Sequence, residues 1–258
     1  MLAFLHIRTA FAVCKKDEGE RSSLKTLIII PAYNEEETIL HTIGMLRQFP
    51  EYDYVVINDG STDNTEQILR DNHINHITLV KNLGIGGAVQ TGYKYAYQNG
   101  YDLTCQIDAD GQHNPEYLDK MKQALLAEEA DMVIGSRYIE KTGFQSTFSR
   151  RFGKNILTGI IGLIARKKIT DPTSGFRMCG KNAIALFANY YPSDYPEPET
   201  IATFLARRMT VVEVPVVMNE REGGTSSITP LKSMYYMIKV SIAIVFSYLG
   251  NRKKRRHK

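Results

Sequence analysis

Short runs of consecutive apolar residues, each followed at once by a polar, acid-bearing cluster, constrain the fold of this chain more than any other feature. Leu27-Ile-Ile-Ile30 runs into Pro31-Ala-Tyr-Asn-Glu35, and Tyr54-Val-Val-Ile-Asn58 into Asp59-Gly-Ser-Thr-Asp63. His76-Ile-Thr-Leu-Val80 leads to Lys81-Asn-Leu-Gly-Ile-Gly-Gly87, and Leu103 to Asp108 leads to Asp108-Ala-Asp-Gly-Gln112. Asp131-Met-Val-Ile-Gly135 makes a fifth such run. Strands without polar alternation are buried on both faces, and longer amphipathic stretches separate these. The pattern predicts an α/β fold with a mostly parallel, Rossmann-like sheet flanked by helices. Asn34 with Glu37, and Asp63 with Glu66, have capping-box spacing and predict helix starts just after the first two strands.

In an open α/β sheet, ligands collect beyond the carboxyl ends of the strands. One polar cluster there is an ordinary helix cap; four in succession at one edge call for a ligand. Asp108 and Asp110, one residue apart after the fourth strand, offer hard oxygen ligands. Such a pair suits Mg²⁺ or Mn²⁺ shared with the oxygens of a diphosphate. Gly84-Ile-Gly-Gly-Ala-Val89 opens a helix but lacks the last glycine of a dinucleotide fingerprint, and no P-loop Gly-Lys-Ser/Thr is present. The glycines predict a close backbone approach to a nucleotide sugar, with Lys81 near the phosphates.

The net charge of +4 is misleading until it is located. Six of the 32 Lys and Arg fall in the last seven residues, which leaves 26 against 28 Asp and Glu elsewhere. A near-neutral body argues against a nucleic-acid-binding face. The basic tail suits an anionic lipid surface. Cys14, Cys105 and Cys179 lack metal-ligand spacing and read as free thiols in a reducing compartment. Residues 1–24 read as a poorly ordered extension with no signal-peptide cleavage site. Residues 25–230 are expected to form one domain, and 231–258 an interfacial helix with a polybasic tail.

Six motifs in order now stand out: Pro31-Ala-Tyr-Asn-Glu35, Asn58-Asp-Gly-Ser-Thr-Asp63, Asn82-Leu-Gly-Ile-Gly-Gly87, Asp108-Ala-Asp-Gly-Gln-His113, Gly135-Ser-Arg-Tyr138 and Asp171-Pro-Thr-Ser-Gly-Phe-Arg177. Together they resemble family 2 glycosyltransferases of the GT-A fold, with the nearest resemblance to polyprenyl- and dolichyl-phosphate sugar transferases, over about residues 25–228. The resemblance implies inverting, metal-dependent transfer of a hexose from a nucleotide sugar, with UDP favoured over GDP. It implies that Pro31, Tyr33 and Glu35 line the base and ribose pocket, with Asp59 reading the base. Asp108 would face the nucleotide, Asp110 would be the main metal ligand, and Gln112 would assist. Arg137 would contact phosphate or sugar. Arg221, with Ser226 nearby, would close over the donor diphosphate.

Arg150 and Arg151 fall where the polyprenyl-phosphate enzymes carry an Arg-Lys-x-x-Ser element that grips the lipid phosphate. Here Lys154 replaces the serine and Asn155 follows, so basic character is kept and the hydroxyl is lost. An ionised phosphate acceptor needs no general base, whereas a sugar hydroxyl does. The Glu-Asp pair of many relatives is missing, and Tyr195-Pro-Glu-Pro-Glu199 stands in its place. Glu197 or Glu199 is a candidate base or sugar ligand; the alternative is a proline turn before a helix. Leu231 to Leu249 is apolar, with Lys232 and Lys239 inside it. It predicts an in-plane amphipathic helix rather than a span, or else a helix packed on the domain.

The expectation is thus a peripheral enzyme on the cytoplasmic membrane face charging polyprenyl phosphate, partnered by a small integral membrane protein or by its own copies. The same-fold alternative is transfer to a sugar hydroxyl of a lipid-linked glycan or cell-wall polymer. An NAD-linked oxidoreductase and a non-catalytic membrane scaffold are the rivals from other classes. A processive polysaccharide synthase is disfavoured, because its Gln-x-x-Arg-Trp element needs a tryptophan and the sequence has none.

Overall fold

Four of the five apolar runs form interior strands of the sheet, and the third, around His76, forms an edge strand. The structure, a computed structural model, describes residues 24–140, 148–219 and 230–256, apart from the side chains of 148–150, 230–236 and 253–256. The strands are β1 (Thr26–Ala32), β2 (Asp53–Asn58), β3 (His76–Thr78), β4 (Leu103–Gln106), β5 (Met132–Ser136), β6 (Arg177–Gly180) and β7 (Val211–Pro215). They make one seven-stranded sheet in the order β3-β2-β1-β4-β6-β5-β7. β1 pairs in parallel with β2 and β4, while β6 runs antiparallel to both β4 and β5. The sheet is therefore mixed and mostly parallel, as expected, with β6 and β7 added beyond the five runs seen in the sequence.

Helices α1 (Ile39–Leu46), α2 (Thr65–Asp71), α3 (Gly84–Gln98), α4 (Leu118–Ala127), α5 (Phe148–Ala165), α6 (Lys181–Asn189), α7 (Pro196–Arg207) and α8 (Pro230–Arg256) cover both faces. β1 shows why a continuous apolar strand was needed. Leu27 and Ile29 pack into the layer with Val89 and Tyr93 of α3, whereas Ile28 and Ile30 enter the opposite layer with Ile39 and Ile43 of α1. All four are fully buried. Truncating one of them to alanine costs about 2–5 kcal/mol through lost burial and a residual cavity.

The first two helices begin later than the capping pattern predicts. α1 starts at Ile39, and Asn34 instead takes a left-handed φ of 55°. Its Oδ1 accepts from the Thr62 backbone N–H, a contact between loops that replaces local capping. Asp63 does accept from Thr65 N–H at the start of α2, but Glu66 pairs with Arg70 rather than reaching back. The third strand ends at Thr78, and Val80 is fully exposed.

The C-terminal helix is no detached amphipath. Val240 and Ile244 of α8 are fully buried in the core, on the layer that also holds α5 and α7. Ser247 donates to Glu199 Oε2 at 3.0 Å, and Arg207 donates to Asn251 Oδ1 at 2.8 Å, along the α7–α8 seam. Its opposite side exposes Ile238, Ile242, Phe246 and Leu249. Among the described residues, no helix is long and apolar enough to cross a membrane.

Candidate active site

The loops after β1 and β2 are laced together by hydrogen bonds, which fixes the edge of the sheet. Asn34 N–H donates to Ser61 Oγ, Glu35 N–H to Thr65 Oγ1 and Glu36 N–H to Asp63 Oδ2, while Asn64 N–H donates to Glu36 Oε2. Burial alone would raise the Asp63 carboxyl, but the hydrogen bonds from Thr65 and Glu36 hold it below the usual carboxylate range. Asp59, buried, accepts from Leu83 N–H at 2.7 Å and so ties the glycine loop to the second strand. Gly60 lets those segments meet. Its φ is +66°, and a Cβ there would lie 2.9 Å from the Asn82 backbone nitrogen.

These loops enclose a cleft of about 310 Å³. Pro31, Tyr33, Glu35, Asp59, Gly84, Asp108 and Asp110 all line it, so the structure brings together most of the residues expected at a donor site. Lys81 is exposed and lies outside that lining. In the glycine loop, the close approach permitted by Gly86 is to the chain itself. A Cβ there would stand 2.3 Å from the Pro192 carbonyl oxygen. That contact seats the segment before α7 against the start of α3.

Asp108 is held by a residue not singled out in the sequence. Its backbone N–H donates to His113 Nδ1 at 3.0 Å, which leaves Nε2 facing the Asp108 carboxylate at 3.7 Å. His113 is buried and stacks on Phe176. Gln106 donates to Asp108 Oδ1 at 2.9 Å, and Gln112 N–H donates to Asp110 Oδ1 at 3.1 Å. Among the described residues, no three His, Cys, Asp or Glu side chains gather to form a closed metal cage. Two carboxylates on one loop nevertheless fit Mg²⁺ or Mn²⁺, since these ions take one or two protein carboxylates and complete their shell with water and substrate oxygens.

Arg137 is positioned rather than free on the surface. Its Nε and Nη2 grip both oxygens of the fully buried Asp171, at 2.7 and 2.9 Å. Burial works against its charge, but the pair with Asp171 and the nearby Asp108 carboxylate hold its proton more tightly than usual. Asp171 in turn hangs from β7, because Glu213 accepts from the backbone N–H groups of both Thr170 and Asp171. Arg177, buried, donates to Thr200 Oγ1 and to the carbonyls of Ser174 and Pro172. It pins the Asp171–Arg177 loop to the first turn of α7. These supporting roles follow from partners distant in the chain, and only the motif around Asp171 hinted at them.

The two glutamates of the Pro-Glu-Pro-Glu segment part company. Glu197 sits near Asp108 and Arg177; burial raises its carboxyl, Arg177 opposes the rise and Asp108 adds to it. Glu199 points to α8, where it accepts from Ser247, so the structure does not bring it to the cleft. Pro196 and Pro198 lie in the first turn of α7, where proline's missing N–H costs nothing.

A second cavity, of about 410 Å³, is lined by Tyr138, Arg151, Lys154, Asn155, Thr158, Lys168 and Thr170. Arg151 and Asn155 thus line one cavity, with Lys154 Nζ 4.2 Å from the centre of the Tyr138 ring. The Arg150 side chain, Arg221 and Ser226 lie outside the described residues.

Comparison with known proteins places this arrangement. A family model described as glycosyl transferase family 2 matches residues 27–187. The undecaprenyl-phosphate mannosyltransferase of Micrococcus luteus is 31% identical over 220 residues, covering 80% of this chain and 88% of that protein. The UDP-N-acetylglucosamine–dolichyl-phosphate N-acetylglucosaminyltransferase of Methanococcus voltae is 28% identical over 242 residues, 84% of this chain and 96% of the relative. In fold, the chain is similar to glucosyl-3-phosphoglycerate synthase of Mycobacterium tuberculosis, solved with Mn²⁺, UDP and phosphoglyceric acid. The TM-score is 0.67 at 18% identity, covering 90% of this chain and 81% of that one. A mixed sheet with GT-A topology, motifs spread along its carboxyl edge and a family match over most of the domain lead to one statement: the chain belongs to glycosyl transferase family 2 and is a glycosyltransferase.

Proposed function

We propose that this enzyme transfers a hexose from a nucleotide sugar, UDP-linked in preference to GDP-linked, to polyprenyl phosphate, with inversion at the anomeric carbon. The observation that carries the reading is the pairing of an acid-lined cleft with a basic cavity, linked through Arg137 and its neighbour Tyr138. Pro31, Tyr33, Glu35 and Asp59 hold the nucleoside, Lys81 and Gly84 serve the donor from its rim, and Arg221 and Ser226 are further donor ligands. Arg150, Arg151 and Asn155 bind the acceptor phosphate. A Mg²⁺ or Mn²⁺ held by Asp110, Asp108 and Gln112 would supply positive charge to the departing diphosphate. An acceptor phosphate oxygen forms a bond to the anomeric carbon while the bond from that carbon to the nucleoside diphosphate breaks. Because the attacking oxygen is already ionised, no proton has to be removed. Arg137, fixed by Asp171, offers charge to the developing negative oxygens without reorganising.

The enzyme works at the cytoplasmic face of the membrane as a peripheral protein, with the exposed apolar side of α8 and the basic tail toward lipid. A small integral membrane protein or a second copy is the partner this layout invites. Incubation with radiolabelled nucleotide sugars, Mn²⁺ and undecaprenyl phosphate tests the reaction. The expected product is a lipid-linked phosphate monosaccharide cleaved by mild acid. An extended glycan would replace this reading with transfer to a sugar hydroxyl, for which Glu197, whose carboxyl is under the influence of Asp108, is the candidate base.

A further inference from the structure

Two buried side-chain oxygens have no hydrogen-bond partner among the described residues, Thr104 Oγ1 and Thr158 Oγ1. Thr104 lines neither cavity, but Thr158 lines the basic one. A helical threonine ordinarily returns its hydroxyl to the carbonyl four residues back. Thr91 does so to Gly87 at 2.9 Å, and Thr200 to Pro196 at 2.6 Å. Thr158 does not. A buried hydroxyl left unpaired is costly; the Thr158 oxygen is shielded where it stands, and a χ1 rotation of this cavity-lining residue would present it to a group that accepts its proton.

The cations of the same cavity point to the nature of that group. Among the described residues, no carboxylate pairs with Arg151 or Lys168. Lys168 lines the cavity from the loop after α5, and Arg151, Asn155 and Thr158 line it from the helix. Two unneutralised cations and an unsatisfied donor suit an anion with several acceptor oxygens. Thr158 also lies one helical turn beyond Lys154, which stands where the related element has its serine. Phe152, Ile156 and Leu163 run along the outward side of α5 next to these residues, 60%, 39% and 83% exposed. An apolar chain leaving the cavity has a surface to follow.

Resting on the polyprenyl-phosphate reading, we infer that Thr158 and Lys168 complete the acceptor subsite for a phosphomonoester. Thr158 donates its hydroxyl to one phosphate oxygen, and Lys168 joins Arg151 in balancing the charge. They are binding and specificity residues and take no part in bond making.

The test is calorimetric titration of the full chain with farnesyl phosphate, glycerol phosphate and farnesol, alongside UDP with Mn²⁺. Farnesyl phosphate should bind and farnesol should not. Thr158→Val and Lys168→Met should each weaken farnesyl phosphate on the order of tenfold, the loss of one hydrogen bond to a charged acceptor. Thr158→Ser should keep wild-type affinity. UDP affinity should stay unchanged in all three, and the acceptor KM should rise without a change in kcat. Tighter farnesyl phosphate than glycerol phosphate assigns the subsite to a lipid headgroup, equal affinities assign it to a small phosphate, and both support it. Wild-type farnesyl phosphate affinity in both Thr158→Val and Lys168→Met overturns the subsite while leaving lipid-phosphate transfer intact. Binding of UDP without any phosphomonoester, with sugar appearing on a hydroxyl acceptor, overturns the reading and the subsite together.

Discussion

The donor cleft and the basic cavity are built in opposite ways. The cleft is a product of the sheet. Its carboxylates stand at strand ends, its loops are stitched to one another through Asn34, Asp63 and Glu36, and buried groups such as His113 fix Asp108 from behind. The basic cavity is assembled from one face of α5 and the loops around Tyr138 and Thr170, and among the described residues Arg151 and Lys168 have no carboxylate partner. The first arrangement is preorganised, which is what stabilising a departing diphosphate demands. The second leaves cations unsatisfied until an anion arrives. Donor chemistry should therefore respond to single substitutions far more steeply than acceptor binding.

Asp110→Ala makes the sharpest test of that asymmetry. Transfer should fall by about three orders of magnitude with the melting temperature unchanged, since one preorganised electrostatic contact is worth about 10²–10³ in rate. A chelator should abolish activity likewise, and Mn²⁺ or Mg²⁺ should restore it; turnover that persists after thorough chelation would remove the metal from the cleft. Arg137 joins the two regions, and Asp171→Ala should disturb both. It leaves a mostly buried guanidinium without its carboxylate, so a loss of about 3 kcal/mol in denaturant unfolding is expected, together with reduced turnover. Next in size, Lys154→Met should raise the acceptor KM several-fold, with an effect that shrinks as salt screens the site, while the donor KM stays put. A matching rise in donor KM would erase the proposed division of labour.

Glu197→Gln yields the smallest change and the most discriminating one. With a phosphate acceptor, the variant should keep its turnover within a few-fold; a loss of about 10²–10⁴ would identify a general base and favour a hydroxyl acceptor. Its stability has a defined sign. Because burial raises the folded carboxyl above its unfolded value of about 4.3, the folded state holds the proton longer. Wild-type stability should thus fall as pH climbs from that value through the raised one. Glu197→Gln should flatten this slope and melt higher at neutral pH, as thermal scans across that range would show.

Much of the cleft was legible because a βα loop directly follows its strand in the chain. Four strand-plus-cluster units at one edge defined the donor side before any contact was seen. Legibility failed where partners are far apart. Asn34 and Glu37 have capping spacing, yet Asn34 is taken by Thr62 of the next loop, and no local rule anticipates that. Glu197 and Glu199 are equivalent in sequence, but two residues of helix turn them to opposite sides, so the first feels Asp108 and the second accepts from Ser247. Thr158 was invisible as a candidate, since a lone threonine in an apolar helix signals nothing until its hydroxyl is found unpaired. β6 and β7 escaped because short strands in the C-terminal half lack the long apolar runs of the first half.

The seating of α8 has a practical side. Val240 and Ile244 complete the same interior that α7 and β1 share, so the segment with the most lipid-friendly exterior is also a wall of the enzyme. Trimming the chain before residue 230 to improve its behaviour in detergent-free buffer would uncover that interior rather than remove an appendage. Solubilising changes belong on Ile238, Ile242 and Phe246, whose side chains the body of the protein does not bury.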